Sequence, residues 1–363
     1  MENPKLKDIY FSREFVEKLI DRLSSETGEF KTACFVDCLE KEGLAEGELK
    51  EKMSVTTRCL HRALPMPYPQ ALEVLRKVAP LFSGFNAMVF PDFVGTYGLE
   101  HWELSVEALR EFTSLCSSEY GVRPFLNQDL DRMMVSMQAW ALDADEHVRR
   151  LASEGCRPRL PWAPGVPALK KDPRSILPIL EQLKNDPSEY VRRSVANNLN
   201  DISKDHPDLV LHLCRQWFGE GEETDQLIKH ALRTLLKSGN TGAMRLFGFG
   251  NPEEVCITNL ILFPPAPAIG DTVEYSFDLD VEGKETLKLR LELLVRFVRK
   301  GGKTSQKVFQ IREGSFESGN HTIRRSFSFR DFSTRKHYPG EHNFTILVNG
   351  VKKKQLTFDL AAQ

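Results

Sequence analysis

Two hydrophobic periodicities divide the chain. As far as about residue 250, apolar residues recur at helical spacing, as in Phe15-Val16/Leu19-Ile20/Leu23, Ala71-Leu72/Val74-Leu75/Val78 and Leu104/Val106/Leu109/Phe112. Asp172-Pro173, Asp186-Pro187 and His206-Pro207-Asp208 mark helix starts, each placing an N-cap or first-turn residue where it is favoured. Helices are predicted over 130–142, 176–184, 191–200, 209–217 and 226–237. Val148-Arg149-Arg150 returns as Val191-Arg192-Arg193, an offset of 43 residues. That offset falls in the ~40–47 window of HEAT-type helix pairs, so this part reads as an α-solenoid of HEAT-like repeats.

Beyond Gly250 the period becomes two, over 272–279, 287–293, 307–311, 323–329, 343–348 and 354–360. Turn sequences separate these runs, among them Asn349-Gly350, a strong hairpin signal. Short strands without helix predict an all-β, immunoglobulin-like sandwich. The Cys…Trp…Cys pattern of antibody domains is missing, so the likeness is one of architecture. The expected domains are 1–250 and 251–363.

The composition is that of a globular protein, at 363 residues, 41% hydrophobic and 28% charged. No run approaches the ~20 apolar residues of a membrane span, and Met1-Glu2-Asn3-Pro4-Lys5-Leu6-Lys7 lacks the apolar core of a secretory signal. A cytoplasmic protein is expected. Seven scattered cysteines without a CxxC read as reduced thiols. Cys34, Cys38, Cys59 and His61 could be drawn as a zinc site but lack its tight knuckle spacing, and no metal is expected. The net charge of −2 excludes a uniformly basic nucleic-acid binder. From Leu260 onward, however, 17 Lys+Arg stand against 12 Asp+Glu, so the C-terminal module is the part suited to an anion.

Four segments carry a more specific signal: 64–72 (LPMPYPQAL), 118–125 (SEYGVRPF), 152–162 (ASEGCRPRLPW) and 194–208 (SVANNLNDISKDHPD). With the solenoid and trailing sandwich, they make the chain resemble the AlkC family of bacterial DNA alkylation-repair glycosylases, relatives of AlkD. The resemblance implies hydrolysis of the N-glycosidic bond of cationic N3-methylated bases, 3-methyladenine and 3-methylcytosine, in duplex DNA. It also implies excision without flipping the base into a pocket, unlike most glycosylases. The implied partner is damaged double-stranded DNA. A nucleoid-associated monomer without cofactor, metal, membrane or obligate protein partner is expected.

The residues themselves offer a chemistry. Glu119, Glu154 and Asp201 are each predicted at or just past a helix C-terminus, where the helix dipole disfavours an acid by ~0.3–1 kcal/mol. Their separations of 35 and 47 residues are each about one repeat, which aligns them along one edge of a solenoid. Carboxylates there can orient a water towards a sugar C1′ and stabilise an oxocarbenium-like charge. Trp162 lies in a loop broken by Pro158, Pro161 and Pro164, suited to holding an aromatic face against a cationic base or sugar. Glu119, Glu154, Asp201 and Trp162 are therefore the expected catalytic residues.

Arg157 and Arg159 are expected to clamp phosphates, with Arg123 close by in the motif. Arg149, Arg150, Arg192 and Arg193 can do the same or form ion pairs between repeats. In the sandwich, Lys303 within 296–303 is the DNA-contact candidate, against the alternative of a solvated face. Trp102, Trp140 and Trp217 follow helical apolar patterns and are expected in the core. The competing function is a non-enzymatic HEAT-repeat DNA-binding or scaffold protein, which has no use for acids and Trp162 converging on one point.

Overall fold

In the computed structural model, which describes residues 9–283, 285–331 and 336–362, the chain divides into two compact units. One comprises residues up to 210 together with 216–231, the other 211–215 together with 232 onward. The helices are α1 (Arg13–Glu26), α2 (Thr32–Lys41), α3 (Leu49–Ala63), α4 (Tyr68–Val78), α5 (Val89–Tyr97), α6 (Trp102–Phe112), α7 (Arg123–Gln128) and α8 (Leu130–Trp140). They continue as α9 (Glu146–Gly155), α10 (Pro167–Lys171), α11 (Leu177–Leu183), α12 (Glu189–Ile202), α13 (Pro207–Trp217), α14 (Glu222–Ala231), α15 (Arg233–Lys237) and α16 (Thr241–Leu246). None among the described residues is long and apolar enough to cross a membrane.

Side-chain caps set several helix starts. Ser12 accepts from the Phe15 amide, Asp129 from Arg132 and Asp145 from His147, each satisfying an N–H that the helix leaves open. The repeated valines, Val148 and Val191, are buried in the helical core with Leu151, Val195 and Leu199. A polar seam joins α9 to α12: the Ser153 and Ser194 hydroxyl oxygens lie 3.1 Å apart, and Asn198 Nδ2 donates to the Ser153 carbonyl at 2.7 Å. Such paired buried groups fix the relative register of two helices better than apolar contact alone. Trp102, Trp140 and Trp217 are buried as expected.

The cysteines require a correction. Helices α2 and α3 pack side by side and bring Cys38 and Cys59 to a Cα separation of 5.5 Å, where they form a disulfide instead of two reduced thiols. Cys156 and Cys214 remain free, and burial pushes both thiols up to about 12.

The β unit contains β1 (Val255–Phe263), β2 (Thr272–Val281), β3 (Leu287–Val298), β4 (Thr304–Phe316), β5 (Gly319–Ser328), β6 (Gly340–Val348) and β7 (Val351–Leu360). They form an antiparallel sheet of order β1-β2-β5 and another of order β4-β3-β6-β7. Inward residues of both sheets, including Phe277, Leu291, Ile323 and Phe344, make one core. The turn between β6 and β7 has Asn349 and Gly350 at φ +48° and +78°, the backbone that this dipeptide favours. Strand β1 is absent from the periodicity reading because a register shift between Thr258 and Ile261, with Asn259 at φ +50°, breaks its alternation.

Candidate active site

Glu154 lies in the last turn of α9 and Asp201 next to the last residue of α12. Glu119 sits elsewhere than expected, in the loop between α6 and α7, because the chain leaves the helix at Phe112 and re-enters one at Arg123. Gly121 permits that loop: a Cβ there would stand 2.4 Å from the Pro91 carbonyl oxygen.

The three acids join in one chain of alternating charge. Arg150 Nη1 donates to Glu119 Oε2 at 2.6 Å, while its Nη2 stands 3.4 Å from Glu154 Oε1. Arg157 Nη1 donates to Glu154 Oε1 at 2.6 Å, and its Nε donates to Asp201 Oδ2 at 2.8 Å. Lys204 Nζ completes the chain, donating to Asp201 Oδ1 at 2.9 Å. Ser194 Oγ donates to the other Glu154 oxygen at 2.6 Å, and Ser117 Oγ to Glu119 Oε2 at 3.0 Å. Burial works to depress the two guanidinium groups, but the flanking acids outweigh it and hold Arg150 and Arg157 above their ordinary values. The cations and hydroxyls thus offset the penalty that a helix C-terminus imposes on Glu154 and Asp201.

Beside this ladder is an aromatic edge. The Trp162 ring is 65% exposed and its backbone is left-handed, at φ +64°. Trp162 and Tyr120 line a recess of about 20 Å³ with Phe11, Leu49, Lys50, Met53, Phe85 and Met88. Tyr120 follows Glu119 directly, and burial, reinforced by Glu119, pushes its phenol up to about 12. Tyr190 presents a ring 5.2 Å from the Arg150 guanidinium carbon on the other flank.

Several arginines have places other than the expected phosphate contacts. Arg123 is fully buried; its Nη1 donates to the carbonyls of Gly155 and Arg157, and its Nε donates to that of Pro164. It cannot meet a phosphate and instead bolts down the loop that carries Trp162. Burial lowers its pKa to about 10. Arg157 is likewise buried between two acids, so its partner is the ladder and not DNA. Arg149 forms a two-pronged pair with Asp186 at 2.6 and 3.0 Å, and Arg192 donates to the carbonyls of Asp186 and Pro187. The first joins two repeats, and the second ties α12 to its own entry loop. Arg159 is partly exposed but bound to Asp205. Arg193 is exposed in a groove of about 450 Å³ with Glu189, Glu223, Gln226 and His230, and Lys303 is exposed at the turn before β4.

Arg150, Ser194, Lys204 and Tyr120 are the ladder and edge residues that sequence reasoning did not assign to catalysis. The Arg150–Glu154–Arg157 spacing, i, i+4 and i+7, was the available signal for a shared helix face. Among the described residues, the one group of three clustered metal-ligating atoms is Cys38, Glu42 and Cys59. Its sulfurs are bonded to each other, and Arg58 and Arg62 each stand 2.6 Å from Glu42.

Residues 113–235 match the model of the DNA alkylation repair enzyme family, and residues 256–362 match that of the YhaZ C-terminal Ig-like domain. The chain is 45% identical over 356 residues to the uncharacterized protein YhaZ of Bacillus subtilis strain 168, covering 98% of this chain and 99% of that one. It is also similar to the Pseudomonas fluorescens alkylpurine DNA glycosylase AlkC, solved bound to DNA containing an abasic site analog. There the identity is 39%, with a TM-score of 0.91 and coverage of 99% of this chain and 100% of that one. With this agreement over nearly its whole length, the chain belongs to the AlkC-type family of bacterial DNA alkylation-repair proteins.

Proposed function

We propose that the protein is a monofunctional DNA glycosylase. It hydrolyses the N-glycosidic bond of cationic N3-methylated bases, 3-methyladenine and 3-methylcytosine, in duplex DNA without drawing them into a base pocket. The observation that carries the reading is the convergence of Glu119, Glu154 and Asp201 through Arg150 and Arg157. A scaffold gains nothing from burying Glu154 and Asp201 and half-burying Glu119 in this way, since each burial must be compensated by a partner.

The proposed reaction needs little leaving-group activation, because a methylated cationic base departs neutral. The demand is on the sugar: electrons of the C1′–N bond leave with the base, and positive charge develops across C1′ and the ring oxygen. A carboxylate of the ladder orients the water that attacks C1′ and takes its proton, while the others stabilise the cation electrostatically. Trp162 supplies a π face to the cationic nucleotide. The 20 Å³ recess beside Trp162 has room for about one water, which supports excision without a base pocket there. Exposed Arg193 and the sandwich around Lys303 are the proposed contacts to backbone phosphate.

The test is incubation with duplex DNA containing 3-methyladenine or 3-methylcytosine, alongside duplexes containing uracil or hypoxanthine, with assay of free bases. Release of the methylated bases only, undiminished by EDTA, is expected. Comparable release of neutral bases, or loss of activity on chelation, would overturn the mechanism.

A further inference from the structure

Trp162 is a strained position of the candidate site, and the strain has a specific support. A non-glycine residue at φ +64° costs on the order of 1–3 kcal/mol and persists only where its surroundings over-determine it. Two groups from distant parts of the chain do so. Buried Arg123 fixes the carbonyls of residues 155, 157 and 164 on either side of the tryptophan. Lys50, 112 residues away on α3, donates its ammonium to the carbonyl oxygen of Trp162 itself. The same ammonium stands 5.6 Å from the centre of the Tyr120 ring. Lys50 therefore reaches both Trp162 and Tyr120, the residue next to Glu119. Lys50 and the Trp162 ring are both exposed, so the bond holds a surface loop and contributes little to a core.

We infer that Lys50 is a positioning residue: its bond to the Trp162 carbonyl holds the indole in the left-handed pose from which it meets the lesion nucleotide. This rests on the proposed glycosylase reading for the nucleotide, but the pose of the indole can be measured without any substrate. Lys50→Met keeps the length of the stem and removes the donor. Lys50→Arg keeps a donor.

Trp102, Trp140 and Trp217 are buried, so acrylamide quenching of fluorescence reports mainly Trp162, with Trp162→Phe as the blank. Lys50→Met is expected to change the quenching of Trp162 and to lower its anisotropy, while thermal unfolding stays near that of the parent. Single-turnover excision of 3-methyladenine should fall roughly tenfold at saturating enzyme, the scale of a misplaced contact. Lys50→Arg should restore both readouts. In a Trp162→Ala background, Lys50→Met should have no further effect, since the lysine acts through the tryptophan.

Equal losses in the two backgrounds would overturn the inference and make Lys50 an independent DNA contact. Unchanged quenching in Lys50→Met would overturn the clamp itself. Full activity of Trp162→Ala would remove the tryptophan, and with it the positioning role, from the reaction. Failure of the unaltered protein to release bases would strike the glycosylase reading and leave the fluorescence result standing on its own.

Discussion

Glu154→Gln separates the charge of the central acid from its shape. Glu154 accepts from Arg157 and Ser194 at 2.6 Å each and pairs with Arg150 at 3.4 Å. The amide can keep its oxygen towards Arg157 and turn its nitrogen to Ser194 Oγ, whose hydrogen can then go to Ser153 Oγ, 3.1 Å away. Neither arginine is stranded, because Arg150 retains Glu119 and Arg157 retains Asp201. Charge-assisted bonds contribute ~1.5–3 kcal/mol and neutral ones ~0.5–1.5, so the loss over these contacts is about 2 kcal/mol. For a unit of this size that is a fall in Tm of roughly 4–8 °C.

The catalytic effect should exceed what so small a structural loss would cause. A carboxylate used in the transition state contributes at least ~1.4 kcal/mol, a factor of ten, and removing a preorganised electrostatic partner typically costs about 10²–10³ in rate. Single-turnover release of 3-methyladenine, measured with enzyme in excess well below the melting onset, should fall at least roughly tenfold while the Kd for the same duplex stays within about twofold. An unchanged single-turnover rate would refute the catalytic assignment. A weakened Kd with the saturated rate intact would move Glu154 from chemistry to binding.

Two further outcomes follow from other parts of the molecule. If the β3–β4 hairpin meets phosphate, Lys303→Ala combined with Lys307→Ala should weaken DNA binding and reduce the slope of log K against log salt by about 0.9 per lost contact; an unchanged slope would leave these lysines as a solvated surface. His342 is fully buried, its Nδ1 donating to the Gly340 carbonyl and its Nε2 accepting from the Val298 amide, and burial lowers its pKa below 6.5. The unfolded chain therefore takes the proton first as pH falls, so this stability is complete above pH 6.5 and is lost below it; urea midpoints should drop between pH 7.5 and 5.5 less steeply in His342→Asn than in the parent.

How much of this was legible depended on whether the relevant contact ran along the chain or across it. Helix faces and strands follow local periods, so the helical solenoid, the sandwich and the buried Trp102, Trp140 and Trp217 could be read directly. Strand β1 escaped because one bulge reversed its alternation after Thr258. Glu154 and Asp201 were legible as oddities of position, since an acid at a helix C-terminus asks for compensation, whereas Glu119 was picked out by a helix end that the structure places seven residues earlier. Part of what compensates them lies across repeats: Arg157 is 44 residues from Asp201, and Arg150 is 31 from Glu119. No local period records such a pair. Arg123 was misread for the same reason, because Gly121-Val122-Arg123-Pro124 looks like an exposed loop until the 155–165 segment folds over it.

The burial of Arg123 and Arg157 changes the electrostatics of the site. Glu119, Glu154 and Asp201 face Arg150, Arg157 and Lys204, so the ladder as a whole carries no excess charge. A field favouring a sugar cation must then come from the order of the charges and from which end is accessible. Lys204 is 38% exposed at one end, whereas Glu119, Tyr120 and Trp162 share the other. A phosphate can compete for Lys204 without touching Arg150 or Arg157, and each cation drawn off leaves the remaining chain more negative. Under the proposed reading, a duplex phosphate that drew Lys204 away would strengthen the field at the carboxylates, and excision would then depend on the presence of DNA.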